Sequence, residues 1–474
     1  MFAKIQRIHF VGIGGIGMSG IAEVLLTLGY KVSGSDLKIS PITQRLARLG
    51  ATIFEGHRAE NIVGAEVVVT SSAIARDNPE VAQACLRHIP VIQRAEMLAE
   101  LMRLKYGIAV AGMHGKTTTT SMIAAVLAAG GLDPTVVVGG RVDAMGSNAR
   151  LGKSQYLVAE ADESDRSFLK LSPILAVVTN IDREHMDCYR DMQDVENTFL
   201  DFMDRVPFYG MVVLCNDDDP LRKLLPRLQR RAVTYGTRQG SDFRITSVDC
   251  GVVQKSQPLI SRFELNYGAS SLGEFRLRVP GAHNVLNATA AVAVGIGLDI
   301  GPEEIRSALE SFSGVERRFQ LRGRAGDVSV IDDYGHHPTE IRATLAAARQ
   351  CGFGRVHVVF QPHRFTRTQL LMEDFAAAFE EADSVFVLDI YPASEAPIPG
   401  VTGEILARRI RARGGKPAIF ISSFARAAEA AASQAQPGDM VLTLGAGNVS
   451  QLGPQILKKL RSAAQPTSTT PAKV

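Results

Sequence analysis

The chain alternates short apolar runs with segments in which apolar residues recur every three or four positions. The periodic segments predict helices, such as those at 284–298 and 339–350. Residues 244–278 alternate apolar and polar side chains, as antiparallel strands do. The apolar runs predict strands at 4–11, 32–35, 52–54, 67–70, 107–111, 155–160, 176–180, 211–216, 328–332, 356–360, 384–388 and 440–444. Strands that alternate with helices in this way predict an α/β fold with parallel sheets.

Three segments each open a new α/β unit, so we predict three domains. We bound them at 1–105, 106–315 and 316–474, with the antiparallel strands of 244–278 appended to the second. At roughly 150 residues per domain, a chain of this length suits three. The residues from about 463 onward lack apolar periodicity, and we expect them to be disordered.

Composition and charge narrow the class of protein. The 52 basic and 49 acidic residues give a net charge of +3, which argues against a nucleic-acid-binding chain. Five cysteines without a CxxC pair argue against a disulfide framework or zinc cluster and suit a reducing cytosol. The first residues run straight into a strand, and no run of about 18 apolar residues occurs, so we expect a cytoplasmic protein without a membrane span.

The first glycine-rich loop joins a predicted strand to a predicted helix. It reads Gly12-x-Gly14-x-x-Gly17, and Asp36 ends the next strand. In that context the glycines allow the backbone to approach a pyrophosphate at the helix N-terminus. Taken alone, the pattern favours an NAD-dependent dehydrogenase, and a tight turn that binds nothing is the simpler alternative.

The second glycine-rich loop is a variant of the phosphate-binding P-loop. It reads Gly112-Met-His-Gly-Lys116-Thr117-Thr118, and Val110 stands where the full pattern has its first glycine. Backbone N–H groups at the start of the helix would cradle phosphates, Lys116 would neutralise their charge, and the Thr117 hydroxyl would ligate Mg²⁺. The alternative is a chance match in an ordinary strand–helix turn.

Polar side chains lie at the ends of two later strands of the second domain. Glu160 ends one apolar run and is followed by Ala-Asp-Glu-Ser-Asp, while His185 lies in the polar segment after the run at 176–180. Because ligands bind at the carboxyl ends of parallel strands, Glu160 is a candidate Mg²⁺ ligand. A solvated acidic loop and a satisfied loop histidine are the alternatives. These patterns together predict an ATP-hydrolysing domain joined to a second nucleotide-binding domain.

At this point the chain resembles the Mur ligase family over essentially its whole length. The segments that carry the resemblance are GIGGIGMSGIAEVL, SGSD, SSAI, GMHGKTTTTSM, EADESDRSFL, TNIDREHMD, PGAHNVLNATAA, GVERRFQ, DDYGHHPTEI, FQPHRFTRT, DIYPASEAPI and GAGNV. The resemblance implies a Rossmann-like UDP-binding domain, a central P-loop ATPase-like domain and a C-terminal Rossmann-like domain. It also implies the ATP-dependent joining of L-alanine to the carboxylate of UDP-N-acetylmuramate through an acyl phosphate, with two Mg²⁺ ions, in peptidoglycan precursor synthesis.

The resemblance further implies roles for particular residues. For the UDP-sugar these are Gly14, Gly15, Gly17, Asp36, Ser71 and Arg94. For ATP they are Gly112, Met113, His114, Gly115, Lys116, Thr117, Thr118, His283, Asn284, Asn287, Arg318 and Asp333. Around the incoming amino acid and the muramyl carboxylate they are Tyr334, His336, His363, Arg364 and Arg367, and for metal they are Thr117, Glu160 and His185. Those expected to act in the reaction are Lys116, His185, His336, His363, Arg364 and Arg367.

Several alternatives remain open at this stage. Asn284 and Asn287 would otherwise cap or line the start of a helix, the His pair at 336–337 would otherwise begin the next helix, and 362–367 would otherwise be a solvated loop. A relative that attaches a whole tripeptide to the same UDP-sugar shares some of the segments. An oxidoreductase and a nucleotide-dependent switch are the rivals from other classes. The pattern identifies neither the general base, His336 or His363, nor the oligomeric state.

Overall fold

A computed structural model describes residues 5–71, 73–75, 77–142, 147–251 and 260–464. The chain forms three sheets, each built from a consecutive stretch of sequence and each covered by helices. The α/β class with largely parallel sheets is therefore confirmed. Most of the predicted disordered tail, residues 465–474, lies outside the described residues.

The first sheet has five parallel strands in the order β3-β2-β1-β4-β5. Its strands are β1 (Arg7–Val11), β2 (Lys31–Asp36), β3 (Thr52–Glu55), β4 (Val67–Thr70) and β5 (Val91–Gln93). Its helices are α1 (Ile16–Thr27), α2 (Pro41–Arg48), α3 (Pro79–Leu86) and α4 (Arg94–Arg103). The pattern did not predict β5, because three residues with a polar end carry no periodic signal.

The second sheet has ten strands in the order β15-β14-β13-β12-β11-β10-β6-β9-β7-β8. Its strands are β6 (Tyr106–Ala111), β7 (Thr135–Val142), β8 (Ser147–Arg150), β9 (Tyr156–Glu160), β10 (Leu175–Val178), β11 (Met211–Cys215), β12 (Ala232–Gly236), β13 (Phe243–Cys250), β14 (Ser261–Tyr267) and β15 (Ser270–Leu277). Its helices are α5 (Lys116–Ala129), α6 (Met192–Met203), α7 (Asp219–Leu224), α8 (Ala282–Gly297) and α9 (Pro302–Ser311). The strand order reverses at β6, and this switch point is where α/β sheets open a ligand crevice.

The third sheet has six strands in the order β16-β17-β21-β18-β19-β20, and all pair in parallel except β16 with β17. Its strands are β16 (Gln320–Ala325), β17 (Val328–Asp333), β18 (Val356–Phe360), β19 (Ser384–Val387), β20 (Ala418–Phe420) and β21 (Met440–Leu444). Its helices are α10 (Pro338–Gln350), α11 (Phe365–Leu370), α12 (Met372–Ala377), α13 (Gly403–Gly414), α14 (Phe424–Gln434) and α15 (Leu452–Ala464). Separate apolar clusters fill the sheet's two faces, as in a doubly wound fold.

The structure differs from the sequence prediction in several details, and strands β7, β8, β12, β16 and β20 were not predicted. Strand β10 ends at Val178, so Asn180 lies beyond the strand, and helix α8 begins at Ala282, so Asn284 lies inside its first turn. Strand β13 joins the sheet in parallel with β12, whereas alternation alone suggested an antiparallel neighbour. That pattern reports which face a strand buries but carries no information on the direction of its partner.

The chain divides into two compact units. The first comprises 1–247, 263–276 and 286–315, and the second comprises 248–262, 277–285 and 316–474. Each unit is described by itself below. Among the described residues, no helix has the length and apolar character needed to cross a membrane.

Candidate active site

The first glycine loop follows β1 and is closed by the end of β2. Gly12 has a φ of +78°, and its N–H donates to the Ser35 carbonyl at 2.8 Å. The Gly14 N–H donates to Oδ2 of Asp36 at 2.8 Å, and a Cβ at position 14 would lie 2.7 Å from that oxygen. The glycine therefore lets the loop approach the carboxylate closely, and the acidic residue of the fingerprint orients the loop.

A buried carboxylate lies beneath this loop. Glu80 is fully buried and accepts hydrogen bonds from the Ser35 hydroxyl and from the Asn61 side-chain amide. His9 lies 3.5 Å from it. Burial alone would raise the pKa of Glu80, but these polar partners outweigh it and lower the pKa to about 2. Glu80 thus ties together the strand ends that carry the first glycine loop.

Arg94 begins helix α4 and lies over the first glycine loop. A Cβ on Gly17 would meet a guanidinium nitrogen of Arg94 at 2.2 Å, so the arginine occupies the space that glycine leaves. Nη2 of Arg94 lies 2.8 Å from Oδ2 of Asp162, which follows β9 of the second sheet. Gly15 caps α1, and Ser71 follows the last residue of β4, half-buried. The predicted UDP-sugar residues other than Ser71 therefore gather around one loop.

The second glycine loop follows β6, at the switch point of the second sheet. Gly112 has a φ of +132°, and a Cβ there would lie 2.0 Å from Oγ1 of Thr179. Gly115 caps α5 with a φ of +81°, and a Cβ there would lie 2.7 Å from Oδ1 of Asn287. Both glycines are therefore required by backbone conformation and by close neighbours.

The same loop is held to the end of β10. The His114 N–H donates to Oδ1 of Asn180 at 2.9 Å, and the Asn180 amide donates back to the His114 carbonyl at 3.0 Å. Nε2 of His114 lies 2.8 Å from a carboxylate oxygen of Asp182. Met113 and Thr118 are buried. Asn180, which sequence reasoning did not assign to the site, therefore fixes the loop through its backbone.

Lys116 lies in the first turn of α5 and is paired with Glu163. Its Nζ donates to Oε1 of Glu163 at 2.7 Å and to the Gly112 carbonyl at 2.6 Å. Burial alone would lower the pKa of Lys116, but the neighbouring carboxylates of Glu163, Asp162 and Glu160 outweigh it and raise the pKa. The lysine is therefore a charged ammonium at neutral pH, as a phosphate-binding group must be.

Three candidate metal ligands surround this lysine. Thr117 is buried in the first turn of α5, and Glu160 is the last residue of β9, in register with Val110 just before the loop. Nε2 of His185 lies 3.7 Å from Oε1 of Glu163. The hydroxyl and carboxylate oxygens are the ligand types that Mg²⁺ prefers. Beside them, Oε2 of Glu163 is buried with no hydrogen-bond partner among the described residues, so the surroundings of the three ligands fit a divalent cation.

One cavity joins the two glycine loops. It measures about 150 Å³ and is lined by Gly17 and Arg94 on the side of the first loop. On the other side it is lined by Lys116, Glu160 and Asp162. The cavity therefore reaches from Gly17 at the first loop to Lys116 at the second.

In the second unit, two adjacent arginines take different roles. Arg317 has a φ of +59° and turns inward, where its Nε lies 3.1 Å from Oδ2 of Asp332 and its Nη1 donates to the Gly447 carbonyl. Nη1 of Arg318 lies 3.5 Å from Oε1 of Glu340. Both guanidinium groups lie over the Tyr334 ring, at 5.0 and 5.2 Å. Both arginines are half-buried, and Arg317 contacts the end of β17 while Arg318 contacts helix α10.

Asp333 is buried at the end of β17, with both carboxylate oxygens in use. It accepts from the N–H groups of Gly335 and Phe319, each at 2.8 Å. Burial raises the pKa of Asp333 although the Arg318 charge opposes the shift. In this arrangement the carboxylate holds the turn after β17.

Aromatic and basic side chains cluster beyond β17 and β18. The His336 ring lies 5.4 Å from that of Tyr334 and 5.8 Å from that of His363. His363 stacks on Tyr391 at 5.5 Å, and a guanidinium nitrogen of Arg367 lies 3.3 Å from Nδ1 of His363. Arg364, with a φ of +69°, begins α11 and donates its backbone N–H to the Tyr391 carbonyl. The five residues predicted around the amino acid thus lie together.

The surroundings of two histidines in this unit lower their pKa values. Desolvation, reinforced by the charges of His336, Arg367 and Arg364, lowers the pKa of His363 to about 3. His283 lies in the first turn of α8, where desolvation and the Arg318 charge lower its pKa to about 4. Both rings are therefore neutral at pH 7.

Two of the simpler alternatives are also present in the structure. His337 caps α10, and its ring accepts from the Thr339 N–H, so this member of the histidine pair is structural. The Asn284 amide donates to the Pro280 carbonyl and thereby secures the start of α8. Helix-start roles and substrate roles are compatible for Asn284, because its carbonyl oxygen is a separate group.

Comparison with family models matches all three sheets. The model of the Mur ligase family catalytic domain matches residues 7–106, that of the Mur ligase middle domain matches 110–295, and that of the Mur ligase glutamate ligase domain matches 317–447.

Comparison with curated proteins gives similarity over the full length. A UDP-N-acetylmuramate–L-alanine ligase of Koribacter versatilis (strain Ellin345) is 73% identical over 460 residues, which cover 97% of this chain and 98% of that protein. The protein of the same name from Solibacter usitatus is 59% identical over 98% of this chain and 97% of its own length.

Comparison with solved structures agrees. The crystal structure of the UDP-N-acetylmuramate–alanine ligase MurC from Thermotoga maritima has a TM-score of 0.80 at 29% identity, covering 96% of this chain and 99% of that one. A murein peptide ligase from Psychrobacter arcticus shares the fold, with a TM-score of 0.68 at 22% identity over 97% of this chain and 100% of that one.

Proposed function

The chain belongs to the Mur ligase family, and we propose that it joins L-alanine to the carboxylate of UDP-N-acetylmuramate with hydrolysis of ATP to ADP and phosphate. It is an ATP-dependent acid–amino-acid ligase of peptidoglycan precursor synthesis, and its substrates are UDP-N-acetylmuramate, L-alanine and ATP. We propose that it works in the cytoplasm, where ATP is available. The domain bounds 1–105, 106–315 and 316–474 are part of the proposal, supported by the ranges that the three family models match.

The cavity between the two glycine loops is the observation that carries this proposal. A UDP-sugar bound through its pyrophosphate at Gly14, Gly15 and Gly17 would direct its muramyl group into this cavity, toward Lys116. ATP phosphates bound at the loop from Gly112 to Thr118 would meet the sugar's carboxylate there. An oxidoreductase does not require the second loop.

The first chemical step would be transfer of the γ-phosphoryl group of ATP to the muramyl carboxylate. Phosphoryl transfer needs little covalent chemistry from the protein, so positioning and charge stabilisation dominate. Lys116 would balance the phosphate charge. Mg²⁺ bound by Thr117, Glu160 and His185 would supply further charge neutralisation, and we propose two such ions.

The second step would be attack of the alanine amine on the acyl phosphate, with release of phosphate. We propose that Arg364 and Arg367 bind carboxylate and phosphate oxygens, because guanidinium groups suit both. Tyr334, His336 and His363 would surround the amino acid. A base must accept the proton of the ammonium, and we assign this role to His336, since a histidine with a pKa of about 3 is too weak a base to do so efficiently.

His283, Asn284 and Asn287 would contact the adenine side of ATP. Arg318 would reach the phosphates. Asp333 would contact the ribose, because a carboxylate oxygen that accepts one backbone N–H, as from Gly335 or Phe319, can accept a further hydrogen bond.

Phosphate release from ATP tests the function directly. We expect release with Mg²⁺, UDP-N-acetylmuramate and L-alanine, and none when L-alanine is replaced by the tripeptide L-Ala-γ-D-Glu-diaminopimelate. Release only with the tripeptide would keep the mechanism and change the acceptor. Lys116→Ala and Glu160→Ala should abolish turnover while UDP-sugar binding persists, and loss of that binding in a folded variant would contradict the division of labour between the two loops.

A further inference from the structure

Glu163 is a buried carboxylate to which the mechanism above gives no role. It follows β9 in the acidic run, and its side chain is 1% exposed. Its Oε1 accepts the hydrogen bond from Lys116 at 2.7 Å. Its Oε2 is also buried but has no hydrogen-bond partner in the part of the chain that the structure describes. One carboxylate oxygen is therefore in use, and the other faces the site with nothing to bind.

The pairing with Glu163 leaves Lys116 without a donor for phosphate. An ammonium group has three N–H donors. Here they contact the Gly112 carbonyl at 2.6 Å, the Met113 carbonyl at 3.3 Å and Oε1 of Glu163 at 2.7 Å. To bind a phosphate, the lysine must release one acceptor. Glu163 is the partner it would release, because its negative charge repels an incoming phosphate.

Release of Lys116 would leave Glu163 as a buried anion in an acidic environment. The carboxylates of Asp162 and Glu160 are close enough to influence the same lysine, so they add negative charge. The Tyr189 hydroxyl donates to the backbone carbonyl of Glu163 and does not compensate the carboxylate. A buried charge that loses its partner is strongly destabilising, so the carboxylate must then either take up a proton or gain another cation. His185, with Nε2 at 3.7 Å from Oε1, lies on the same side.

We propose that Glu163 exchanges Lys116 for a divalent cation when nucleotide binds, and that it becomes a ligand of that cation beside His185. The proposal rests on the proposed function, since it requires that the second glycine loop binds ATP. In this scheme Glu163 holds the lysine in the nucleotide-free site and then holds the metal in the loaded one. Nucleotide and metal would thereby bind cooperatively. The nucleotide draws Lys116 away from Glu163 and frees the carboxylate for the metal, and the metal replaces the positive charge that Glu163 loses.

The test measures binding without turnover. Mn²⁺ serves as a paramagnetic probe, and the non-hydrolysable analogue AMP-PNP occupies the loop. We expect Glu163→Gln to weaken Mn²⁺ binding to the AMP-PNP complex by about tenfold or more, whereas Glu163→Asp, which keeps the charge, should weaken it less. Asp165→Asn is the matched control, because Asp165 lies two residues away in the same acidic run but is exposed. It should leave Mn²⁺ affinity unchanged.

AMP-PNP binding in the presence of EDTA separates the proposal from a folding defect. Without metal, Glu163→Gln should bind the nucleotide at least as tightly as the wild type, because the carboxylate no longer competes for Lys116. A merely structural role would weaken nucleotide binding under both conditions. Wild-type Mn²⁺ affinity in Glu163→Gln would overturn the proposal. If the wild type itself failed to bind AMP-PNP, the proposed function would fail instead.

Discussion

Arg94 and Asp162 form an ion pair, with Nη2 and Oδ2 2.8 Å apart, that links helix α4 of the first sheet to the segment after β9 of the second. Both residues line the cavity that joins the two glycine loops. The side chains are 31% and 39% exposed, so the pair is worth under about 1 kcal/mol of folding free energy. Arg94 lies over Gly17, and we infer that Asp162 orients the arginine toward a ligand at the first glycine loop.

Arg94→Gln should therefore affect substrate binding much more than stability. We expect the KM for the UDP-sugar to rise about tenfold or more, from loss of a charged hydrogen bond worth roughly 1.5–3 kcal/mol, while the KM for ATP changes little. Arg103→Gln on the same helix is the control, because its ion pair with Glu100 is solvent-exposed and lies outside the lining of the cavity. Equal effects of the two variants in steady-state kinetics would contradict this role.

The glycines that flank the two ends of α5, Gly115 and Gly131, allow the effect of backbone strain to be measured separately from the effect of a steric clash. Gly115 and Gly131 have φ values of +81° and +76°, but a Cβ would collide with Asn287 only at position 115. Each alanine substitution should cost about 1–2 kcal/mol of stability from the left-handed conformation. Only Gly115→Ala should also lose ATP binding, measured by calorimetric titration. Retained ATP affinity in Gly115→Ala would show that the loop tolerates displacement.

The buried Glu80 should make stability depend on acidity. Its pKa falls from 4.5 to about 2 on folding, so its contribution is fully present above pH 4.5 and is lost as the pH falls toward 2. The shift corresponds to about 3 kcal/mol. Urea unfolding at pH 7 and pH 3 should show that Glu80→Gln reduces this difference by about 2 kcal/mol, whereas Glu60→Gln at an exposed position should leave it unchanged. An unchanged pH dependence in Glu80→Gln would count against the network.

The two histidines near the proposed amino-acid site should respond differently to substitution. His336→Gln should lower kcat about 100-fold or more if the residue is the general base. His363 is neutral throughout the working pH range, so His363→Gln should raise the KM for L-alanine and leave the shape of the kcat–pH profile between pH 6 and 9 unchanged. A flattened limb in His363→Gln would reverse the assignment.

The sequence predicted the glycine loops and the strands that carry them. Glycines with positive φ, such as Gly12 and Gly112, are required by the local backbone conformation, so they can be recognised from the neighbouring residues alone. The same holds for a lysine that begins a helix directly after such a loop. Strands β5, β7, β8, β12, β16 and β20 were not predicted, and of these only β5 and β20 are so short that three residues give no usable periodicity. The direction in which β13 pairs could not be predicted from its own sequence pattern either, because it depends on the neighbouring strand.

The parts of the site that depend on tertiary contacts were harder to predict. Glu163 belonged to a run of acidic residues in which the sequence does not say which one is buried. Tyr391 contacts His363 across 28 positions of sequence, and Asn180 holds His114 across 66. The sequence signals that could have identified such residues are an acidic residue flanked by apolar positions and a polar residue just past a strand. They became specific only when the strand order was known.

The positive φ of Arg317 has a consequence for how the third domain tolerates sequence change. Arg317 and Arg318 are chemically identical neighbours, and the turn of the backbone between them directs one to Asp332 and the other to Glu340. The role of each arginine is thus set by its position along the chain relative to this turn. Deleting one residue between Gly314 and Glu316 would keep both arginines yet shift each by one place, so the segment should accept substitutions more readily than changes of length.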